Sequence, residues 1–207
     1  MPKISQIINT VFTSKSYIIQ KDDSTEVFLV DCGDVSPILQ YLSDYEDRKV
    51  RVKGVLFTHI HYDHIYGLPQ MAVLFPQAKV YTNEFGIKAL ADERLNYSRY
   101  HGDSIVFTSD RIVVCKEGMK IKLFDEVYAK VYYTPGHNPS CLTYEVGDYL
   151  FTGDSYIPGV KVVTNLRGGD KQQALDSEKR IKSLAEGKVI CPGHKVDGIL
   201  VEKVECL

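Results

Sequence analysis

Three of the chain's six histidines and one aspartate fall within six consecutive positions, as His59, His61, Asp63 and His64 of the stretch FTHIHYDHIYG. Imidazole nitrogens and carboxylate oxygens at this density point to metal ligation without thiolate, which suits zinc and also iron or manganese. A helix presents paired ligands at i and i+4, as in H-E-x-x-H. Here His59, His61 and Asp63 alternate and His64 breaks the alternation. That spacing fits no single face of one helix or strand. It fits a loop between a strand and a helix, wrapping donors around a point. One loop cannot enclose a cation, so other donors must come from elsewhere in the chain.

Three later apolar runs offer them. VYYTPGH ends in His137, YLFTGD in Asp154 and KVICPGH in His194, each donor directly after a glycine. Glycine permits a tight turn and close backbone approach, so a side chain can leave a strand end sharply. Each such end alone is an ordinary turn. Together the four ends carry His59, His61, Asp63, His64, His137, Asp154 and His194, five of the six histidines, and read as one metal site. His101 falls outside the set and reads as a surface or structural residue.

The elements that must position these donors follow from apolar patterning. Short β-rich runs come first, at Ile7 to Phe12, Tyr17 to Gln20 and Val27 to Val30. Ser36 as N-cap and Pro37 at the first helical position open a helix to about Asp47. Val55 to Phe57 reads as a buried strand, followed by a helix from near His64 to Leu74. Lys79 to Tyr81 is a strand, with Asn83 capping a helix from Glu84 to Ala91. Strands follow at Arg111 to Cys115, Met119 to Leu123, Val127 to Tyr133, Leu142 to Val146 and Tyr149 to Phe151. Asp170 and Gln173 resemble a capping box that opens a helix to about Leu184, and Lys188 to Cys191 is a last core strand. Strands and helices in both halves predict a layered α/β fold, and no linker composition divides residues 1–207 into more than one domain.

Bulk composition excludes several classes. Lys plus Arg number 25 against 27 Asp plus Glu, a net charge of −2, so no basic excess suggests a nucleic-acid partner or an anionic membrane. No apolar run approaches the ~20 residues of a membrane span, and the first residues lack a signal peptide's apolar core. Five widely spaced cysteines with no C-x-x-C pair fit reduced thiols in a cytoplasmic protein. Cys141, four residues past His137, reads as a buried thiol.

The ordered set H-x-H-x-D-H, Gly-His, Gly-Asp and Gly-His resembles the metallo-β-lactamase superfamily, from Val30-Asp31-Cys32-Gly33 through Pro192-Gly193-His194. The resemblance implies a four-layer αββα sandwich with two divalent metals at one end of its facing sheets. It also implies the ligand sets: His59, His61 and His137 on one metal, Asp63, His64 and His194 on the other, with Asp154 bridging. His64, Asp154, DERLNYSRYHG and TNLRGGD are similar to the glyoxalase II-like branch of binuclear hydrolases. The helical C-terminal region of that branch is not matched, since 13 residues follow His194.

Two cations about 3.5–4 Å apart share a water and lower its pKa from about 15.7 towards ~7. The implied activity is therefore hydrolysis of a small ester, thioester, lactone or phosphodiester by a bridging hydroxide. Asp63 is the candidate for orienting that nucleophile and moving its proton. Asp31 is either a support for a ligand histidine or a turn carboxylate. Arg167 and Lys195 are candidates for a substrate carboxylate, and Tyr62, Tyr66 and Tyr156 either line the mouth or pack. Two other readings stand beside hydrolysis: a mononuclear iron persulfide dioxygenase-like oxidoreductase, and a non-catalytic metal-binding or sensing protein.

Overall fold

The computed structural model describes residues 2–22, 24–43, 50–196 and 205–206. Two sheets face each other. The first orders as β12-β1-β2-β3-β4-β5-β6, built from β1 (Lys3–Ile8), β2 (Lys15–Gln20), β3 (Glu26–Val30), β4 (Arg51–Leu56), β5 (Lys79–Thr82), β6 (Ile112–Val114) and β12 (Glu205–Cys206). The second orders as β11-β10-β9-β8-β7, from β7 (Lys120–Phe124), β8 (Val127–Tyr133), β9 (Leu142–Val146), β10 (Tyr149–Gly153) and β11 (Val189–Pro192). Pairing is antiparallel through β1-β2-β3 and parallel from β3 to β6. In the second sheet β7 to β10 run antiparallel and β11 joins β10 in parallel.

Alternation along the strands explains the layers, because successive side chains point to opposite faces. Val27 and Leu29 face one apolar core, with Ile38 and Leu42 of α1 (Val35–Ser43), Met71 of α3 (Leu68–Leu74) and Leu90 of α4 (Glu84–Leu90). Phe28 and Val30 face the other, meeting Val131, Leu142, Tyr144 and Phe151 of the second sheet. Beyond the second sheet lies α5 (Lys171–Leu184), which buries Ala174, Ser177 and Ile181. Its Ser177 Oγ donates to the Pro135 carbonyl at 2.6 Å, just past the end of β8. The result is the layered α/β fold that the patterning predicted, in the αββα form that the resemblance implied.

Several boundaries differ from the sequence expectation for local reasons. The first strand runs Lys3–Ile8 rather than Ile7 to Phe12, and beyond Ile8 the chain turns away: Thr10 N–H donates to Asp34 Oδ2 at 2.7 Å, and Phe12 and Thr13 adopt φ of 52° and 51°. Helix α1 begins at Val35, so Ser36 lies inside it and is not its N-cap; the end expected near Asp47 lies outside the described residues. The helix expected from His64 to Leu74 is two, α2 (Tyr62–Ile65) and α3, parted at Gly67. A Cβ on Gly67 would stand 2.1 Å from the Gly33 carbonyl oxygen, so the break lets the loop after β3 press against it. Asn83 caps α4 by accepting from Gly86 N–H. Asp170 caps α5 by accepting from Gln173 N–H at 2.8 Å, while its own N–H goes to the Gly136 carbonyl, so only half of the box forms.

The sheets are tied together near the end where the donors sit. Tyr17 Oη, from β2, donates to the Pro192 carbonyl at 2.7 Å, and Tyr144 Oη, from β9, donates to the Phe57 carbonyl at 2.9 Å. Both tyrosines are buried, and neither acceptor can turn to solvent without opening the sandwich. Replacing Tyr17 with Phe is expected to destabilise the fold by about 1–3 kcal/mol, since it leaves the buried Pro192 carbonyl unsatisfied. Thermal or denaturant unfolding reads this directly, and an unchanged midpoint would contradict it.

Candidate metal centre

All seven donors leave one end of the sandwich. His59, His61, Asp63 and His64 follow β4, His137 follows β8, Asp154 follows β10 and His194 follows β11. The β4 loop is held from both sheets. Leu142 N–H donates to the Thr58 carbonyl at 2.7 Å, Ile60 N–H to Ser140 Oγ at 2.9 Å, and Ser14 Oγ donates to the Asp63 carbonyl at 2.7 Å. Glycine matters most at Gly193, where a Cβ would sit 2.1 Å from Asp154 Oδ1 and 3.0 Å from the His64 ring.

The side chains gather into overlapping sets whose ligand atoms lie within 4.8 Å of one another: His59, His61 and His137; Asp63, His64 and His194; and His59, His64 and Asp154. His61 Nδ1 stands 2.9 Å from His137 Nε2. In the second set His194 Nε2 is 3.2 Å from Asp63 Oδ2, and His64 Nε2 is 3.4 Å from the same oxygen. Asp154 spans the two sets, with Oδ1 3.6 Å from His64 Nε2 and Oδ2 3.6 Å from His137 Nε2 and 3.2 Å from His194 Nε2. Four buried side-chain polar atoms lack a hydrogen-bond partner among the described residues, and two of them, His59 Nε2 and Asp154 Oδ1, are here. Buried atoms of this kind are costly unless something else binds them. The donor set therefore fits hard or borderline divalent cations.

The outward nitrogens fix the rings. His64 Nδ1 meets Asp31 Oδ2 at 2.9 Å, His137 Nδ1 the Val163 carbonyl at 2.8 Å, and His194 Nδ1 the Phe12 carbonyl at 2.9 Å. His61 turns the other way, with Nε2 against the Asn138 amide at 2.9 Å, so its Nδ1 faces inward. Asp31 sits at φ 59° and also accepts from Thr58 N–H at 2.8 Å and Thr58 Oγ at 2.7 Å. Asp31 is thus a support for His64 and not merely a turn carboxylate. Asn138 and Thr58 are support residues that sequence reasoning missed, and their only signal was adjacency to His137 and His59.

Charge divides the cluster. Burial lowers His59 well below the usual imidazole range, helped by His64 and His61, and burial with His137 pushes His61 down to about 3. Burial also opposes charge on His64 and His194, but the carboxylates prevail. Asp63, Asp31 and Asp154 hold His64 well above its ordinary value, and Asp154 and Asp63 bring His194 up to about 10. Against burial, His64 and His194 in turn hold Asp63 well below the carboxylate range, and His194, His64 and His137 bring Asp154 down to about 2.

Other predicted residues lie elsewhere. Arg167 and Lys195 are exposed on loops around the cluster and belong to none of the three donor sets. Tyr62 stacks on His101 at 4.9 Å, and Tyr66 Oη donates to Asp34 at 2.6 Å, so both pack. Cys141 is buried, and burial pushes its thiol up to about 12. Tyr97, not singled out from the sequence, sets its ring edge-on to His61 at 5.0 Å.

The Metallo-beta-lactamase superfamily profile matches residues 9–194. The chain belongs to this superfamily. Among curated relatives, it is 26% identical over 174 residues to a hydroxyacylglutathione hydrolase of Enterobacter sp. (strain 638), covering 84% of this chain and 59% of that protein. It is 28% identical over 187 residues to the hydroxyacylglutathione hydrolase of Actinobacillus pleuropneumoniae serotype 5b (strain L20), covering 88% and 66%. The chain therefore spans about three-fifths to two-thirds of the length of these relatives. Among solved structures, BLEG-1 B3 metallo-beta-lactamase superposes with a TM-score of 0.81 at 26% identity, covering 93% of this chain and 92% of that one. ETHE1 from Myxococcus xanthus gives 0.70 at 22% identity, covering 95% and 77%, a likeness of fold alone. Membership and the donor sets together imply divalent metal ions.

Two tests follow from this geometry. Metal binding must displace the protons held on His64 and His194, whose raised pKa values keep them charged at neutral pH. Apparent affinity should therefore rise between pH 6 and 8, by up to about tenfold per unit for each proton displaced. Competition with a chelator at three pH values measures the slope, and a flat profile would contradict the charge assignment. Asp31→Asn removes the negative partner of His64 Nδ1 and should weaken metal affinity by roughly 10–100-fold. Affinity equal to that of the parent protein would return Asp31 to a purely structural role.

Proposed function

We propose that the protein is a binuclear metal-dependent hydrolase of small esters or thioesters, with lactones and phosphodiesters as further substrate classes and zinc as the first metal to test. The observation that carries this reading is Asp154, whose two oxygens face both donor sets at once. The hydroxyacylglutathione hydrolase names of the relatives support thioesters within that range. In this proposal residues 1–207 act as one catalytic domain.

A bound pair of divalent cations supplies an acidified water and positive charge opposite a developing oxyanion. The chain's own residues do the rest. His59, His61 and His137 would hold one cation and Asp63, His64 and His194 the other, with Asp154 between the two sets. Asp63 would accept the proton of the attacking water at a carboxylate oxygen and return it to the leaving group. Burial of His59, His61, Asp63, His64 and His137 limits the access of bulk water to these transfers and strengthens each charge interaction.

Metal analysis of protein prepared without added metal should find close to two zinc or manganese ions per chain. Thioester turnover should vanish on chelation and return on reloading. Asp63→Ala should lower kcat by about 10²–10⁴, with its metal content measured alongside. One iron per chain with oxygen uptake on persulfides would replace this reading with the dioxygenase-like one. Less than half a metal per chain, unrecovered on reconstitution, would favour a non-catalytic role.

A further inference from the structure

The loop after β10 carries an unusual surface. A cavity of about 40 Å³ opens beside His137 and Asp154, walled by Ile157, Val160, Val162 and Val163, with Lys161 the one cation on its lining. Val160 and Val163 are 44% and 48% exposed, and Leu166 follows at 39%. Exposed aliphatic side chains scattered singly need no explanation, but a cluster at a cleft marks a binding surface. Phe12 and Tyr100, 59% and 65% exposed, lie on the other loops at this end. Half of the ten large exposed apolar side chains among the described residues thus belong to three loops around the donors.

The wall is held in place. Val160 N–H donates to the Ile157 carbonyl at 3.0 Å, the Val163 carbonyl accepts from His137 Nδ1 at 2.8 Å, and Arg167 N–H donates to Tyr97 Oη at 2.7 Å. Tyr97 has φ 68°, a conformation rare for a bulky residue. Its neighbour Asn96 enforces it, with Nδ2 donating to the Ala89 and Ile105 carbonyls at 3.0 and 2.8 Å and Oδ1 accepting from Ser98 N–H at 3.0 Å. Strain sustained by surrounding bonds at a cleft points to use.

We infer that this cavity takes the acyl side chain of the substrate and that this chain is short and aliphatic, not anionic. The inference rests on the hydrolase reading above. A space of about 40 Å³ holds only a few water-sized positions, at about 10–15 Å³ each, so butyryl is the chain length to set against acetyl and hexanoyl. Each methylene buried there should improve recognition about fourfold, from ~0.8 kcal/mol per CH₂. Chains longer than butyryl run out into the open mouth and gain little more.

The test uses the metal-loaded full chain and two readouts. The first is kcat/KM for acetyl, butyryl, hexanoyl and succinyl thioesters of N-acetylcysteamine. The second is calorimetric binding of the matching carboxylates, which needs no turnover. Butyryl should exceed acetyl by about tenfold or more, with hexanoyl close to butyryl and succinyl no better than acetyl. Val163→Asp should collapse the butyryl-to-acetyl ratio towards one. Val160→Ser, milder, should reduce it if the first variant does not fold, and metal content with melting temperature reports folding for both. Lys161→Met should leave the order intact. A flat chain-length series, or a succinyl preference abolished by Lys161→Met, would overturn the inference. Turnover without the order leaves the hydrolase reading standing and removes the aliphatic pocket. The order in carboxylate binding without turnover of any thioester does the reverse.

Discussion

Seven potential ligand side chains facing one another in a largely buried space are the constraint on which this end of the molecule depends. His137 and His194 offer their Nδ1 atoms to the Val163 and Phe12 carbonyls, which commits their Nε2 atoms to the interior. His61 is committed in the opposite sense by Asn138. Lone pairs brought to 2.9 Å, as for His61 and His137, repel unless a proton or a cation lies between them. Hydrogen bonds outside the cluster therefore orient its rings, through backbone carbonyls at His137 and His194 and through the Asn138 and Asp31 side chains at His61 and His64.

The sandwich is what makes such crowding possible. Donors arrive from β4 in one sheet and from β8, β10 and β11 in the other, so no single strand has to bend around the site. Strain is concentrated at the same end. Of five non-glycine residues with positive φ among the described residues, Phe12, Thr13, Asp31 and Tyr97 lie on loops around the donors, and only Glu126 lies in the distant β7-β8 hairpin. Strained backbone persists where neighbouring contacts over-determine it. At Asp31 those contacts are Thr58 and His64, and at Tyr97 they are the bonds made by Asn96.

The donor set was legible because metal ligation requires particular residue types at particular junctions, and both leave marks in one dimension. H-x-H-x-D-H, Gly-His, Gly-Asp and Gly-His are such marks, and the structure brings all seven side chains together. Strands such as Val127–Tyr133 and Leu142–Val146 were legible for a similar reason, since alternation and flanking turn residues bound them closely. The failures have a common cause. The first strand ended early because Asp34, 24 residues away, took the backbone of Thr10. The helix after His64 broke because Gly33 presses on Gly67. Half of the expected box at Asp170 was lost to the Gly136 carbonyl. Each is a distant partner outbidding a local preference. No window of sequence contains both partners.

The mouth of the site is the extreme case of that rule. Tyr97 stood unmarked in the segment DERLNYSRYHG, and its importance comes only from His61 and Arg167 arriving beside it. Val163 shows why a mouth can differ while a metal centre stays the same. Its carbonyl orients His137, and its side chain forms part of the wall next to Asp154. Any residue at that position presents the same carbonyl, whereas the side chain is open to change. Orientation of His137 and the shape of the wall therefore share one residue without sharing one atom, so the wall can change while the histidine remains fixed.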